Sequence, residues 1–408
     1  MTVAIVVPRW PPAYGGGEQY MDRMVGALLE RTDWDIRILT TTLSDDDQYI
    51  GVSGLSDSCI TRVPNDSELQ RYYALGWVPH YASWIDSLPD VDLVIFASPA
   101  TLYLRNSQSG ILESAYVDTR IRGIPFGFIH YDLNPNSNEF LGQRVIEGMS
   151  WQQASDEFIS LAKDLHSQDR WHEFCADYEL PSVHRPDFII SCSEWSLKHI
   201  DPLDQIPSRM VLHPLMDFDY YSESVPSFDG TDHHVGFVNP IGHKGCVVAY
   251  DVANSMRDLR HVWLKGGHGN ASKQHFLEIV RTTQAQGLCD IEIVDFVQDI
   301  RSFFGSLANG GMFLFPSRFE GYGMAPVEAM ACGIPVVSTD HPATVEGVGD
   351  AAVLVNPFAP SDHWEFAIED ILDDRQRWIS AGFARVQQLR DRQETEIKHL
   401  IGLIREFI

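Results

Sequence analysis

Pro316-Ser317-Arg318-Phe319-Glu320-Gly321-Tyr322-Gly323-Met324-Ala325-Pro326-Val327-Glu328-Ala329-Met330-Ala331-Cys332-Gly333-Ile334-Pro335-Val336-Val337 is a strand-to-helix-to-strand passage. An apolar run from Gly311 leads into Pro316, glycines open the loop, a short helix starts near Met324, and a second apolar run begins at Pro335. Such a turn gathers free backbone N–H groups at a helix N-terminus, where they attract a phosphate dianion without a lysine. Glu320 stands just before that point and Glu328 just after it. Ionised carboxylates only accept hydrogen bonds, so two of them flanking an anion hole suit a ligand with hydroxyls on both sides of a phosphate. A nucleotide sugar is such a ligand.

Outward from this passage, strand-like apolar runs alternate with helical ones, the pattern of parallel sheets wound on both faces by helices. The first series runs Val3–Pro8, Ile36–Thr41, Leu93–Ala97, Phe126–His130, Phe188–Cys192 and Val211–Pro214. The second runs Val235–Val238, Val262–Lys265, Ile291–Phe296, Met312–Phe315, Val336–Ser338 and Ala352–Val355. Two series predict an α/β chain of two Rossmann-like domains, at 1–214 and 234–390, with a turn-rich linker at 215–233 and a helix at 391–408. Sheets of this kind bind ligands at the carboxyl ends of their strands. Residues 134–185 read as a helical insert with Phe140, Trp151, Phe158, Trp171, Phe174 and Tyr178 as packing residues or an acceptor wall.

The frame Ser-x-x-Glu-Gly-x-Gly…Pro-x-Glu-Ala-Met-Ala-x-Gly-x-Pro-Val-Val, filled here from Ser317 to Val337, resembles the donor signature of the retaining glycosyltransferases of family 4. That resemblance implies the GT-B fold, with two domains facing across a cleft and a C-terminal helix crossing back to the first. It also implies transfer of a sugar from a nucleotide diphosphate donor to an acceptor hydroxyl with the anomeric configuration retained. Glu328 would then bind the ribose hydroxyls and Glu320 the sugar hydroxyls, while the Gly321, Tyr322, Gly323 and Met324 amides hold the diphosphate. The segment Val235-Gly236-Phe237-Val238-Asn239-Pro240-Ile241-Gly242-His243-Lys244-Gly245 is similar to the family's strand-loop-Lys-Gly motif, which puts Lys244 on the leaving phosphate. Phe237 stands where the family commonly has an arginine, so Asn239, His243 or Arg318 would supply that donor.

His130, at a predicted strand's end before Tyr131 and Asp132, resembles the family's histidine beside the transferred sugar. Gly15, Gly16 and Gly17 let the first strand-to-helix turn approach a ligand closely, and Glu18 is placed to cap the following helix. That turn is similar to the family's glycine loop facing the acceptor and phosphate. Base contacts are expected from backbone near Phe296, Val297 and Gln298.

Bulk properties exclude several classes. The chain has 408 residues and a net charge of −27, which repels nucleic acid and the anionic membrane leaflet. Its apolar runs are strand-length, and no basic leader precedes the first of them. Its six cysteines, at 59, 175, 192, 246, 289 and 332, are too far apart for a Cys-x-x-Cys motif and read as reduced thiols of a cytoplasmic protein. Asp90-Val91-Asp92 and Asp217-Phe218-Asp219 spell Asp-x-Asp, a metal-holding pair in the other glycosyltransferase fold, but in so acidic a chain the expectation is no metal and no cofactor. The expected partners are a nucleotide sugar and a hydroxyl acceptor, with oligomeric state open and a homodimer one option. Two other readings stay open: a catalytically silent GT-B subunit, suggested by Phe237, and a nucleotide-sugar epimerase or phosphorolytic enzyme.

Overall fold

The structure, a computed structural model, describes residues 1–7, 9–11, 15–41, 51–63, 77–97, 103–105, 112–131, 135–168, 185–222, 233–266, 271–287, 289–295, 297 and 299–408. Two compact units emerge: 1–143 with 152–215 and 394–408, and 144–151 with 216–393.

The first unit holds β1 (Thr2–Val6), β2 (Asp35–Thr41), β3 (Ile60–Val63), β4 (Val91–Ala97), β5 (Tyr103–Arg105), β6 (Leu112–Ser114), β7 (Phe126–His130), β8 (Phe188–Ser191) and β9 (Ser208–Val211). Seven of them form a parallel sheet in the order β3-β2-β1-β4-β7-β8-β9, and β5 pairs with β6 antiparallel. Helices α1 (Gly16–Arg31), α2 (Trp77–Ser87), α3 (Ala115–Ile121), α4 (Pro135–Ile146), α5 (Trp151–Ser167) and α6 (Glu194–Ile200) accompany it. Every residue of β1 and β7 is buried, as a parallel sheet covered on both faces requires.

The expected strand at Val211–Pro214 lies three residues earlier, at Ser208–Val211. The apolar signal there belongs to Leu212, Leu215 and Met216, which are buried beyond the strand. Their carbonyls find side-chain donors instead: Tyr20 Oη to Leu212 O at 2.8 Å and Arg23 Nη1 to Leu215 O at 3.0 Å. Strands β3, β5 and β6 carried no usable apolar pattern; β3 reads Ile-Thr-Arg-Val and is an edge. In the insert, Phe140 packs on Phe158 at 5.8 Å. Trp171, Phe174 and Tyr178 lie outside the described residues.

The second unit alternates without interruption: α7 (Phe218–Ser222), β10 (His234–Val238), α8 (Cys246–Ser255), β11 (Arg260–Leu264), α9 (Ala271–Ala285), β12 (Ile291–Val294), α10 (Ile300–Leu307), β13 (Met312–Phe315), α11 (Met324–Ala331), β14 (Val336–Thr339), α12 (Pro342–Val348), β15 (Val353–Val355), α13 (Ser361–Asp373) and α14 (Arg375–Arg405). Its six strands are parallel in the order β12-β11-β10-β13-β14-β15, so the winding reverses between β10 and β13. In open sheets of this kind that reversal opens a crevice at the strands' carboxyl ends.

Three boundaries differ from the sequence expectation. Residues 144–151 group with the second unit, because the Trp151 indole N–H donates to Asp340 Oδ1 at 2.9 Å and its ring meets His341 at 4.8 Å. The expected linker at 215–233 begins with a helix, α7, whose Phe218 and Tyr221 are buried; its remainder, 223–232, lies outside the described residues. Helix α14 starts earlier than expected, and its last turns pack in the first unit through buried Ile397, Leu400 and Ile404. Glu396 there accepts hydrogen bonds from the His213 backbone N–H (2.9 Å), with His213 Nδ1 at 2.7 Å from its other oxygen.

Candidate active site

The crevice between β10 and β13 collects the residues of the two second-unit motifs. After β10 the chain turns at Asn239, whose φ is 57°, and makes a 3-10 turn over Gly242–Lys244. After β13 comes the loop 316–323 and then α11. The two loops are tied by backbone: Arg318 N–H donates to His243 O at 2.8 Å, and the buried Ser317 hydroxyl to the same oxygen at 3.3 Å. Gly245 permits this approach. Its φ is 78°, and a Cβ there would stand 2.1 Å from Pro316 O.

That tie brings the sequence-predicted charges together. Lys244 Nζ donates to Glu320 Oε1 at 2.5 Å. Glu320 and Glu328 are only 9% and 7% exposed, which orders both carboxylates. Between them α11 begins at Gly323, with φ 82°, no side-chain cap and no acidic residue in its first turn. Its first N–H groups therefore have no carboxylate of their own and present a positive end. Glu328, the fifth residue of the helix, accepts the Tyr221 hydroxyl at 2.7 Å.

Of the loop residues, Gly321 and Met324 line the turn itself, while Tyr322 sends its hydroxyl away to accept Arg392 Nη2 at 3.0 Å. Val297 lies in the loop after β12; Phe296 and Gln298 are outside the described residues. His243 is held below the usual imidazole range by burial first and then by Lys244 beside it. Arg318 has a buried Nε with no acceptor among the described residues. Phe237 is buried in the sheet's core against Trp263, with ring centroids 5.2 Å apart, so this side chain faces away from the loops.

In the first unit, His130 is buried at the carboxyl end of β7, and burial pushes its imidazolium down to about 3. The ring is thus a neutral hydrogen-bonding group at working pH. Asp132 lies outside the described residues. Glu18 lies in the first turn of α1, its Oε2 2.2 Å from where a Cβ on the Gly15 N-cap would stand, and it pairs with Arg9 at 3.6 Å. Gly16 is open, whereas Gly17 leaves room for the Tyr131 ring. In the Asp-x-Asp pairs, Asp92 Oδ2 accepts Thr2 N–H at 2.8 Å, Asp217 caps Tyr220 N–H at 3.0 Å, and Asp219 pairs with Arg390 at 2.7 Å. Tyr221 is the contributor that sequence reasoning missed, because a tyrosine in a turn-rich stretch carries no pattern.

The family model for glycosyl transferases group 1 matches residues 233–374, which is most of the second unit. The lipopolysaccharide core biosynthesis mannosyltransferase LpsB of Rhizobium meliloti is 27% identical over 228 residues, 50% of this chain and 62% of the relative. The O-antigen chain mannosyltransferase B of Escherichia coli is 25% identical over 165 residues, 40% of this chain and 42% of the relative. These matches span less than two thirds of the relatives' own lengths.

Among solved structures, the sucrose-phosphate synthase of Thermosynechococcus elongatus superposes with a TM-score of 0.66 at 15% identity, covering 99% of this chain and 98% of that one. Anabaena HepE in complex with UDP and glucose gives 0.64 at 16%, covering 100% of both. The fold is that of the GT-B glycosyltransferases: two parallel-sheet α/β domains and a C-terminal helix. Among the described residues, no helix is long and apolar enough to cross a membrane.

Proposed function

We propose that the chain transfers a glycosyl unit from a nucleoside diphosphate sugar to an acceptor hydroxyl with retention of configuration. The observation that carries this reading is the assembly of Lys244, Glu320 and Glu328 around the uncapped start of α11, at the strand-order reversal. The matched family model, the mannosyltransferase relatives and a structural neighbour holding UDP and glucose support it.

In this scheme the diphosphate occupies the α11 N-terminus, where amides and Lys244 meet its charge. Glu320 exchanges its lysine partner for sugar hydroxyls as the phosphate takes Lys244, so the ion pair is the resting form of the site. Arg318 Nε gains an acceptor, which its burial otherwise denies it. Glu328 holds the ribose. The bond from the anomeric carbon to the phosphate oxygen breaks, the acceptor oxygen bonds on the same face, and its proton passes to the departing phosphate. Position and electrostatics lower the barrier, with charge growing on the phosphate where Lys244 opposes it. His130, neutral, serves as a hydrogen-bonding group rather than a proton carrier.

Phe237 had suggested a binding-only subunit. Its side chain packs in the core of β10, and in this reading Arg318, His243 or Asn239 takes the place of the family's arginine.

A panel of nucleoside diphosphates and their sugars, followed by thermal denaturation, tests the donor reading, because a ligand that binds only the folded form raises its stability. Nuclear magnetic resonance of the product then reads the anomer. A product of inverted configuration, or stabilisation by no nucleotide sugar, contradicts the proposal.

A further inference from the structure

Glu328 is not held by its own helix alone. Tyr221, on α7, donates its hydroxyl to Glu328 Oε1 at 2.7 Å, and both side chains are buried. The phenol is fixed in turn, because three neighbouring elements pin the short helix that carries it. At the end of α11 the Cys332 thiol lies 3.7 Å from Tyr221 O; burial, then Glu328, pushes that thiol up to about 12, so it stays protonated and donates. At the start of α10 the Arg301 guanidinium lies 3.3 Å from the Tyr220 ring centroid and donates to Tyr220 O at 2.8 Å. Asp299 holds that guanidinium at 2.7 Å. From α14, Arg390 reaches Asp219 at 2.7 Å.

These contacts fix the five-residue helix, and with it the direction from which the Tyr221 hydroxyl meets Glu328 Oε1. A hydrogen bond to an ionised carboxylate is stronger than a neutral one, and it selects one rotamer of the glutamate. We propose that Tyr221 is a positioning residue for the nucleotide. It presents Glu328 as a preformed acceptor for vicinal ribose hydroxyls, and so makes the site select ribonucleotides over their deoxy counterparts. A deoxy ligand leaves a buried carboxylate without the hydroxyls it is set to receive, which is where such sites discriminate most. The inference rests on the reading of Glu328 as the ribose ligand given above.

The test uses the full chain and equilibrium titration with GDP and UDP, each beside its 2′,3′-dideoxy counterpart. Tyr221→Phe should weaken the better-bound ribonucleotide about tenfold and leave its dideoxy counterpart within twofold. In turnover, the donor KM should rise by about the same factor with kcat little changed, since a ribose contact is made alike in ground and transition states. Added to Glu328→Gln, Tyr221→Phe should cost nothing further, because its partner is already altered. Equal losses on the ribo and dideoxy ligands, or additive losses in the double variant, overturn the positioning role while leaving Glu328 in place. If Glu328→Gln itself weakens both ligands equally, the ribose reading falls and this inference with it. The phenylalanine keeps the ring's packing, and Tyr221→Leu tells packing from the hydroxyl: a ribose-independent loss in the leucine variant alone supports the hydroxyl's role.

Discussion

The chain contains two glycine-bearing strand-to-helix turns, and they are built differently. After β13, Gly323 has a left-handed φ, Gly245 lets a second loop lie against Pro316, and Lys244, Glu320 and Glu328 are buried or paired around the helix start. After β1, Gly15, Gly16 and Gly17 are not left-handed, a Cβ at Gly16 would meet nothing within 4 Å, and Glu18 is engaged with Arg9. Both turns start a helix at a glycine N-cap, with an acidic residue, Glu18, in the first turn of α1 and none in that of α11. At the second-unit turn a lysine and two buried carboxylates, carried by two tied loops and the helix itself, also meet around that end.

The largest effect should come from Lys244→Ala. It removes the charge opposing the leaving phosphate, and kcat should fall about a hundredfold or more. Normal turnover in that variant would move the phosphate role to Arg318 or His243. Next, Gly245→Ala should cost about 3 kcal/mol, because its Cβ would meet a backbone carbonyl at 2.1 Å from a left-handed residue. Gly16→Ala, with open space, should change stability by less than about 1 kcal/mol. Denaturant midpoints of the two variants compare the turns directly, and equal shifts would erase the contrast.

The smallest effect is a pH dependence of the first unit. Burial pushes His130 to about 3 and His199 to about 4. Both rings bind protons more readily unfolded than folded, so their contribution to stability is complete above the ordinary imidazole value and is lost as pH falls from there toward 4 and 3. His130→Gln should flatten the fall of the melting midpoint across that acidic window. An unchanged slope would mean that the His130 ring is hydrated rather than buried.

Much of this was legible in the sequence for a physical reason. The second unit is a continuous alternation in which β10, β13 and β14 are buried on both faces, so apolar runs and strands coincide. In the first unit, β3 and β9 are edges with polar residues, and the apolar run at 212–216 is core without being strand. The site residues on α11 and its loop were readable because backbone geometry demands glycine there and carboxylates are rarely buried without purpose. Tyr221 was not, since its role depends on a contact 107 residues away in sequence.

The central claim is that Lys244 and the α11 amides hold the donor's diphosphate without a metal ion. Titration of the better-bound nucleoside diphosphate in excess chelator tests it most directly. The account predicts binding that survives the chelator within twofold and weakens at least about tenfold in Lys244→Ala. Binding lost in chelator and restored by magnesium or manganese would contradict it.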